Sequence, residues 1–336
     1  MSQPAGAPDT LSPGDALPPV EPPSAGFILQ LFVVPAIIVS IIVLVWLLFT
    51  WLAQMGSDHK KYIEGLSRNN EARWQSAAAL ADLLNSPGHA ALKRDTDVAQ
   101  QLSGILDKEL KAGNTEEKLV ALRVFLARAL GEFQVIEVVP VLVRATGQTD
   151  PSEIAARRAA LEALAVVASN VPEVRTIPQP ELMQALSTAA EDSDPAIRSA
   201  AAFTLGVLGT DAANRQLAGM LADAYPDVRY NAATGMARQG DQRAAPVLVE
   251  MLDPEELVSA NLEAEGARDS KHALIIANAL RATQELHTKN ATADLTTLQV
   301  AMQKLVDGEV PQGMLVQAQQ IAKEIQDRPK HVDVEK

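Results

Sequence analysis

One residue type recurs in this chain at intervals that ask for an explanation. Arginine stands in ARWQSAAAL (72–80) as Arg73, in LRVFLARALG (122–131) as Arg123 and in ARRAALEALA (156–165) as Arg157. It returns in DPAIRSAAAFTLGVLG (194–209) as Arg198 and in PDVRYNAATGMARQG (226–240) as Arg229. Each guanidinium sits in an apolar or small-residue run, where it is either a site or part of a frame. Other reactive groups are sparse. The histidines, at 59, 89, 272, 287 and 331, match neither H-E-x-x-H nor any close metal pair. Phosphate-cradling and nucleophile-elbow motifs are missing. The absence of cysteine excludes disulfides, thiolate metal sites and a cysteine nucleophile. No catalytic, cofactor-binding or metal-ligating residue is therefore assigned, and no cofactor is expected. DPEELVSANLEAEGARDS (253–270) carries six acids against one arginine. It suits a docking loop for a basic partner better than a divalent-ion site, because calcium loops place their ligands at fixed offsets. A solvated inserted helix or loop is its simplest reading.

The elements that carry these arginines are helical. Of the 336 residues 47% are hydrophobic but only 4% aromatic, so the apolar content is mostly Ala, Leu and Val. Ala and Leu are strong helix formers, whereas β-branched and aromatic residues favour strands. Residues 194–209 align with 226–240 after a shift of 31, placing Pro195 on Pro226, Ile197 on Val228, Arg198 on Arg229 and Leu205 on Met236. Self-similarity at this period marks a solenoid. Second helices such as 136–146, 181–190, 214–224 and 245–252 lie between the copies. Each pair buries its apolar stripe only against the next pair, which makes one continuous core. On a helical wheel 197, 201, 204, 205 and 208 share one face, while Ser199, Ala202 and Phe203 point away.

A loop with an acid, then V/I-R-x-x-A-A-x-x-L-G, then a helix of the VVPVLVRAT kind resembles HEAT repeats, in particular the short HEAT-like repeats of the phycobilisome-lyase type. The likeness runs over about residues 70–290 and is sharpest around Arg198 and Arg229. The whole arrangement also resembles membrane-anchored HEAT-repeat proteins of planctomycete-type bacteria. In such families an acid six residues before the arginine helps form a hydrogen-bonded ladder between repeats. That spacing holds for Glu117 and Arg123, Asp192 and Arg198, and Asp223 and Arg229, and becomes seven for Asp150 and Arg157. The resemblance thus makes the arginines structural, with Asp192 as the partner of Arg198. Candidate partner-binding residues are those turned outward: Phe203, Tyr230, Arg158 and Glu162, since exposed aromatics and arginines are typical interface anchors.

From Phe27 to Ala53 the sequence holds no ionisable residue. The run exceeds the roughly 20 residues that cross a bilayer core. A cleaved signal peptide would need a positive leader and a shorter apolar run. Trp46 and Trp51 suit one interface, with Pro35 toward the other end. Lys60, Lys61, Arg68 and Arg73 follow the run, whereas the first 26 residues hold no Lys or Arg. The positive-inside rule then puts the N-terminus outside and the large C-terminal part in the cytoplasm.

The expected organisation is all-α: a Pro-rich disordered tail (1–26), a transmembrane helix (27–54), a linker (55–69), a HEAT-like α-solenoid (70–290), capping helices (291–328) and a disordered tail (329–336). A formal charge of −13 argues against nucleic acid and favours solubility and basic partners; the partners expected of the solenoid are proteins. The leading expectation is a single-pass scaffold or adaptor at the cytoplasmic face of the inner membrane. The alternatives are a fixed subunit of a membrane complex, through polar Gln30 and Ser40 of the span, or a bilin-lyase-like enzyme or cofactor chaperone.

Overall fold

The computed structural model describes residues 24–55, 59–68, 72–253, 258–308 and 312–327. The expected disordered tails therefore lie outside the described residues, apart from positions 24–26. The chain divides into two units, Met1–Asp58 and His59–Lys336.

Among its described residues the first unit is formed by helix α1 (Ala25–Met55), which runs through Pro35 without ending. Its segment Leu29–Thr50 has 22 residues with a mean hydropathy of 3.1, and none of its most apolar stretch is buried against protein. At about 1.5 Å per residue this segment is long enough for a hydrocarbon core of about 30 Å.

The second unit is all helix and turn among its described residues. It opens with α2 (His59–Ser67), α3 (Arg73–Asn85), α4 (Ala90–Lys93) and α5 (Thr96–Ala112). There follow α6 (Glu117–Gly131), α7 (Val139–Thr146), α8 (Ile154–Asn170), α9 (Glu173–Thr176) and α10 (Pro180–Ala190). Next come α11 (Pro195–Leu208), α12 (Asp211–Met220), α13 (Pro226–Arg238) and α14 (Ala245–Leu252). The unit closes with α15 (Val258–Asn261), α16 (Glu265–Lys289), α17 (Thr296–Val306) and α18 (Gln312–Gln326).

These helices form two layers. The arginine-bearing helices α3, α6, α8, α11 and α13, followed by α16, stack in chain order. Beside them α5, α7 and α10, and then α12, α14 and α17, supply the second layer. The pairing follows from the repeat itself. The residue seven after each arginine (Leu80, Leu130, Leu164, Leu205 and Met236) is buried between the layers, as is the residue before four of them (Leu122, Ala156, Ile197 and Val228). Loop chemistry sets the helix starts: the Asp194 carboxylate accepts from the Ala196 amide at 2.8 Å while Pro195 occupies the first turn. Gly209, at φ 61°, ends α11 in the left-handed region.

Three expectations change. Residues 59–67 were expected as linker but form α2, whose Leu66 is fully buried and which packs on α3. The pair 291–328 was expected as a cap, but α17 packs on α14 and so continues the second layer, while α18 packs on both α16 and α17, burying Ala318 and Ile321. Ala202 was expected to point away, yet it is fully buried, because α11 is flanked by α8 and α13 as well as by its second-layer partners. A helix in a stack buries its flanks as well as its base.

Candidate partner-binding surface

The arginines make one repeated construction. Each donates to a backbone carbonyl in the chain just before its own helix and to a carboxylate further along the chain. That carboxylate lies in the second helix of the same pair for Arg73 and Arg229, and in the turn that opens the next pair for Arg123, Arg157 and Arg198. Arg73 Nε reaches the Leu66 carbonyl at 2.9 Å, and its Nη1 lies 2.9 Å from Glu109 Oε1. Arg123 donates to the Asn114 carbonyl at 2.8 Å and grips both oxygens of Glu153; both side chains are buried. Arg157 donates to the Thr146 carbonyl at 3.1 Å and to the Asp192 carboxylate. Arg198 donates to the Asp192 carbonyl at 2.8 Å and, through a two-pronged pair of 2.7 and 3.0 Å, to Asp223. Arg229 donates to the Asp223 carbonyl at 2.8 Å and to Glu250.

Three partner assignments are thereby corrected. Asp223 gives Arg229 only its backbone carbonyl, and the carboxylate there belongs to Glu250. The carboxylate facing Arg198 belongs to Asp223, one repeat ahead, whereas Asp192 gives Arg198 only its backbone carbonyl. Glu117 is exposed at the start of α6 and does not meet Arg123, whose carboxylate partner is Glu153. The reason lies in the loop. Asp192 Oδ1 accepts from the Asp194 amide at 2.9 Å, and Asp223 Oδ1 from the Tyr225 amide at 2.8 Å. This turn aims the carbonyl at the arginine of the same repeat and leaves the carboxylate to that of the preceding one.

The electrostatics agree with the geometry. The Arg198 guanidinium, ahead of the opposing effect of burial, holds the Asp223 carboxyl below the usual carboxylate range. Burial alone would raise Asp192, but the Asp194 amide and Arg157 outweigh it and lower it. Arg198 and Arg229 are raised by Asp223 and Glu250 respectively.

On the outward side of the arginine-bearing layer lies a groove of about 510 Å³ that crosses α8, α11 and α13. Arg158, Glu162, Phe203, Tyr225, Asp227 and Asn231 are among its lining residues. Phe203 is 40% exposed and Tyr225 47%. The Arg198 guanidinium lies over the Tyr225 ring at 5.6 Å, which fixes the ring beside the rung it belongs to. Arg158 and Glu162, one turn apart on α8, pair at 2.7 Å at the surface. The groove thus brings together Arg158, Glu162 and Phe203.

Tyr230 is not among them, which corrects its assignment as an outward residue. It is 4% exposed, and its hydroxyl donates to Glu250 Oε1 at 3.0 Å. Burial, with Glu250 adding to it, pushes its phenol above the ordinary range. Its place at the surface is taken by Tyr225, which sequence reasoning missed. The available signal was Pro226: the residue before a proline is held extended, here at φ −90° and ψ 125°, so Tyr225 stands outside the helix.

The acidic stretch 253–270 reaches the edge of this groove. Residues 254–257 lie outside the described ones, and 265–270 are the first turns of α16 rather than a separate loop. Asp227 accepts from the Ser259 hydroxyl and, at 3.1 Å, from Lys271 Nζ, which also binds Glu263 at 2.8 Å. Among the described residues no group of three or more His, Asp or Glu is arranged to hold a metal ion.

No curated protein matches this chain. Solved structures that resemble it include an engineered protein, 19% identical, covering 69% of this chain and 98% of its own, with a TM-score of 0.43. A designed armadillo repeat protein is 15% identical over 73% of this chain and 98% of its own, at a TM-score of 0.37. The Escherichia coli protein YibA is 16% identical over 79% of this chain and 92% of its own, at 0.36. A family model described as HEAT repeats matches residues 180–266, the run from α10 into the first turn of α16, so this part of the solenoid is built of HEAT-like helix pairs.

Proposed function

We propose that this chain is a membrane-anchored scaffold whose HEAT-like solenoid binds protein partners at the cytoplasmic face, through the outward groove crossing α8, α11 and α13. The observation that carries this reading is the pair of exposed rings, Phe203 and Tyr225, lining one groove beside the surface charges of Arg158 and Glu162. Large aromatic side chains left in solvent on a rigid support are the usual anchors of an interface. The anchor is α1, whose apolar length fits a single span, and the basic residues after it support a cytoplasmic solenoid. Tethering would raise the local concentration of solenoid and client together.

The test is co-purification of the full chain from detergent-solubilised membranes, wild type against Phe203→Ala/Tyr225→Ala. Both rings are partly exposed, so the helical circular-dichroism signal should be unchanged while captured partners are lost. An unchanged set of partners would remove the groove from the account. The narrower resemblance to lyase-type repeats implies tetrapyrrole handling. For a scaffold, titrating the full chain with a linear tetrapyrrole should leave the pigment's absorbance spectrum as it is in buffer.

A further inference from the structure

Resting on the reading of this groove as a protein-binding surface, we infer that its occupant is a basic, extended segment of a partner protein in which Arg or Lys alternates with apolar residues. The two aromatic rings offer faces on which the alkyl stem and charged head of a long basic side chain can lie. Carboxylates flank them on both sides. Among the described residues Glu162 on α8 is tied to Arg158 of the same helix alone, at 2.7 Å and with both side chains substantially exposed. Such a surface pair is weakly held, so an incoming guanidinium can compete for the carboxylate. Asp227 on α13 is 47% exposed on its side chain. Through Lys271 it is joined to Glu263, in the stretch 253–270 with its six acids and one arginine. The groove is thus apolar at its centre. Its rim carries three carboxylates, Glu162, Asp227 and Glu263, against the two cations paired with them, Arg158 and Lys271, an excess of one acid on a chain whose formal charge is −13. That complementarity selects a basic occupant and repels an acidic one. An extended segment is favoured because the groove crosses three successive helices, α8, α11 and α13. A chain laid across them presents alternate side chains to the rings and to the rim.

The experiment uses the full chain in zwitterionic nanodiscs and two short fluorescent peptides, one alternating Arg and Val, the other with Glu in place of Arg. Fluorescence polarisation should show binding of the basic peptide, weakening as salt is raised, and none of the acidic one. Glu162→Lys and Phe203→Ala should each weaken it by about tenfold or more, about 1.4 kcal/mol by the binding relation. Glu173→Lys, a charge reversal of an exposed acid outside the groove, controls for net charge and should change it less than about twofold. Equal binding of the two peptides, or equal effects of Glu162→Lys and Glu173→Lys, would overturn the proposal. If the basic peptide fails to bind while Phe203→Ala/Tyr225→Ala still loses co-purifying partners, the occupant is wrong and the protein-binding surface stands.

Discussion

Arg123 and Glu153 are buried together, so the rung they form should behave differently from a surface ion pair. Arg123→Met leaves a buried carboxylate uncompensated and should cost about 3–5 kcal/mol, whereas Arg123→Met/Glu153→Met replaces the pair by apolar groups and should recover most of that loss. Urea unfolding of the full chain in detergent separates the two. A second residue-scale expectation concerns acid. The folded carboxyl of Asp223 is held below its ordinary value of 3.8 by Arg198. Its contribution is therefore present above the unfolded value and is lost as pH falls through the folded one. Asp223→Asn should lower the melting temperature at neutral pH and flatten its decline below about pH 4 relative to wild type. At this scale the recurrence of arginine is visible in the sequence, but the matching carboxylate is not. For Arg198 it comes from one repeat ahead, and the acid six residues before it contributes its backbone carbonyl instead. Tyr230 and Tyr225 show the same limit. A wheel sorts residues into core and solvent, but it has no place for a neighbour on the flank or for a residue standing just before the helix.

Helix packing rests on close approach within the arginine-bearing layer. Gly206 of α11 and Gly235 of α13 meet there, and a Cβ on Gly206 would lie 2.7 Å from the Gly235 Cα. Backbone on both sides leaves no flexible side chain to move aside, so Gly206→Ala should destabilise by about 1–3 kcal/mol. Gly104 is its contrast. It lies inside α5, is exposed, and has nothing within 4 Å of an added Cβ. Gly104→Ala should therefore stabilise by about 0.5–1 kcal/mol, because it removes only the entropic cost of a mid-helix glycine. Thermal unfolding followed at the helical signal checks both. The helix pairs were legible because Ala, Leu and Val recur at helical spacing and because Asp and Pro punctuate the loops. The end of the array was less so. The N-terminal turns of α16 are polar and acidic, and only the contacts of α17 with α14 show that it continues the second layer.

For the whole molecule, stacking makes each pair depend on its neighbours, and the rungs of Arg123, Arg157 and Arg198 couple one repeat to the next. The rungs face the loops between helices, which leaves the outward surface of α8, α11 and α13 to carry the groove. The proposed topology gives its own expectation: protease added outside intact cells should leave the solenoid whole, and protease added to inverted membrane vesicles should digest it. The most direct test of the central claim is site-specific photocrosslinking in intact membranes, with the photoreactive residue placed at Phe203 or Tyr225 and, as a control, at exposed Asp211 on α12. The account predicts discrete protein adducts from the two groove positions and none from position 211. Adducts from 211 but not from 203 or 225 would contradict it.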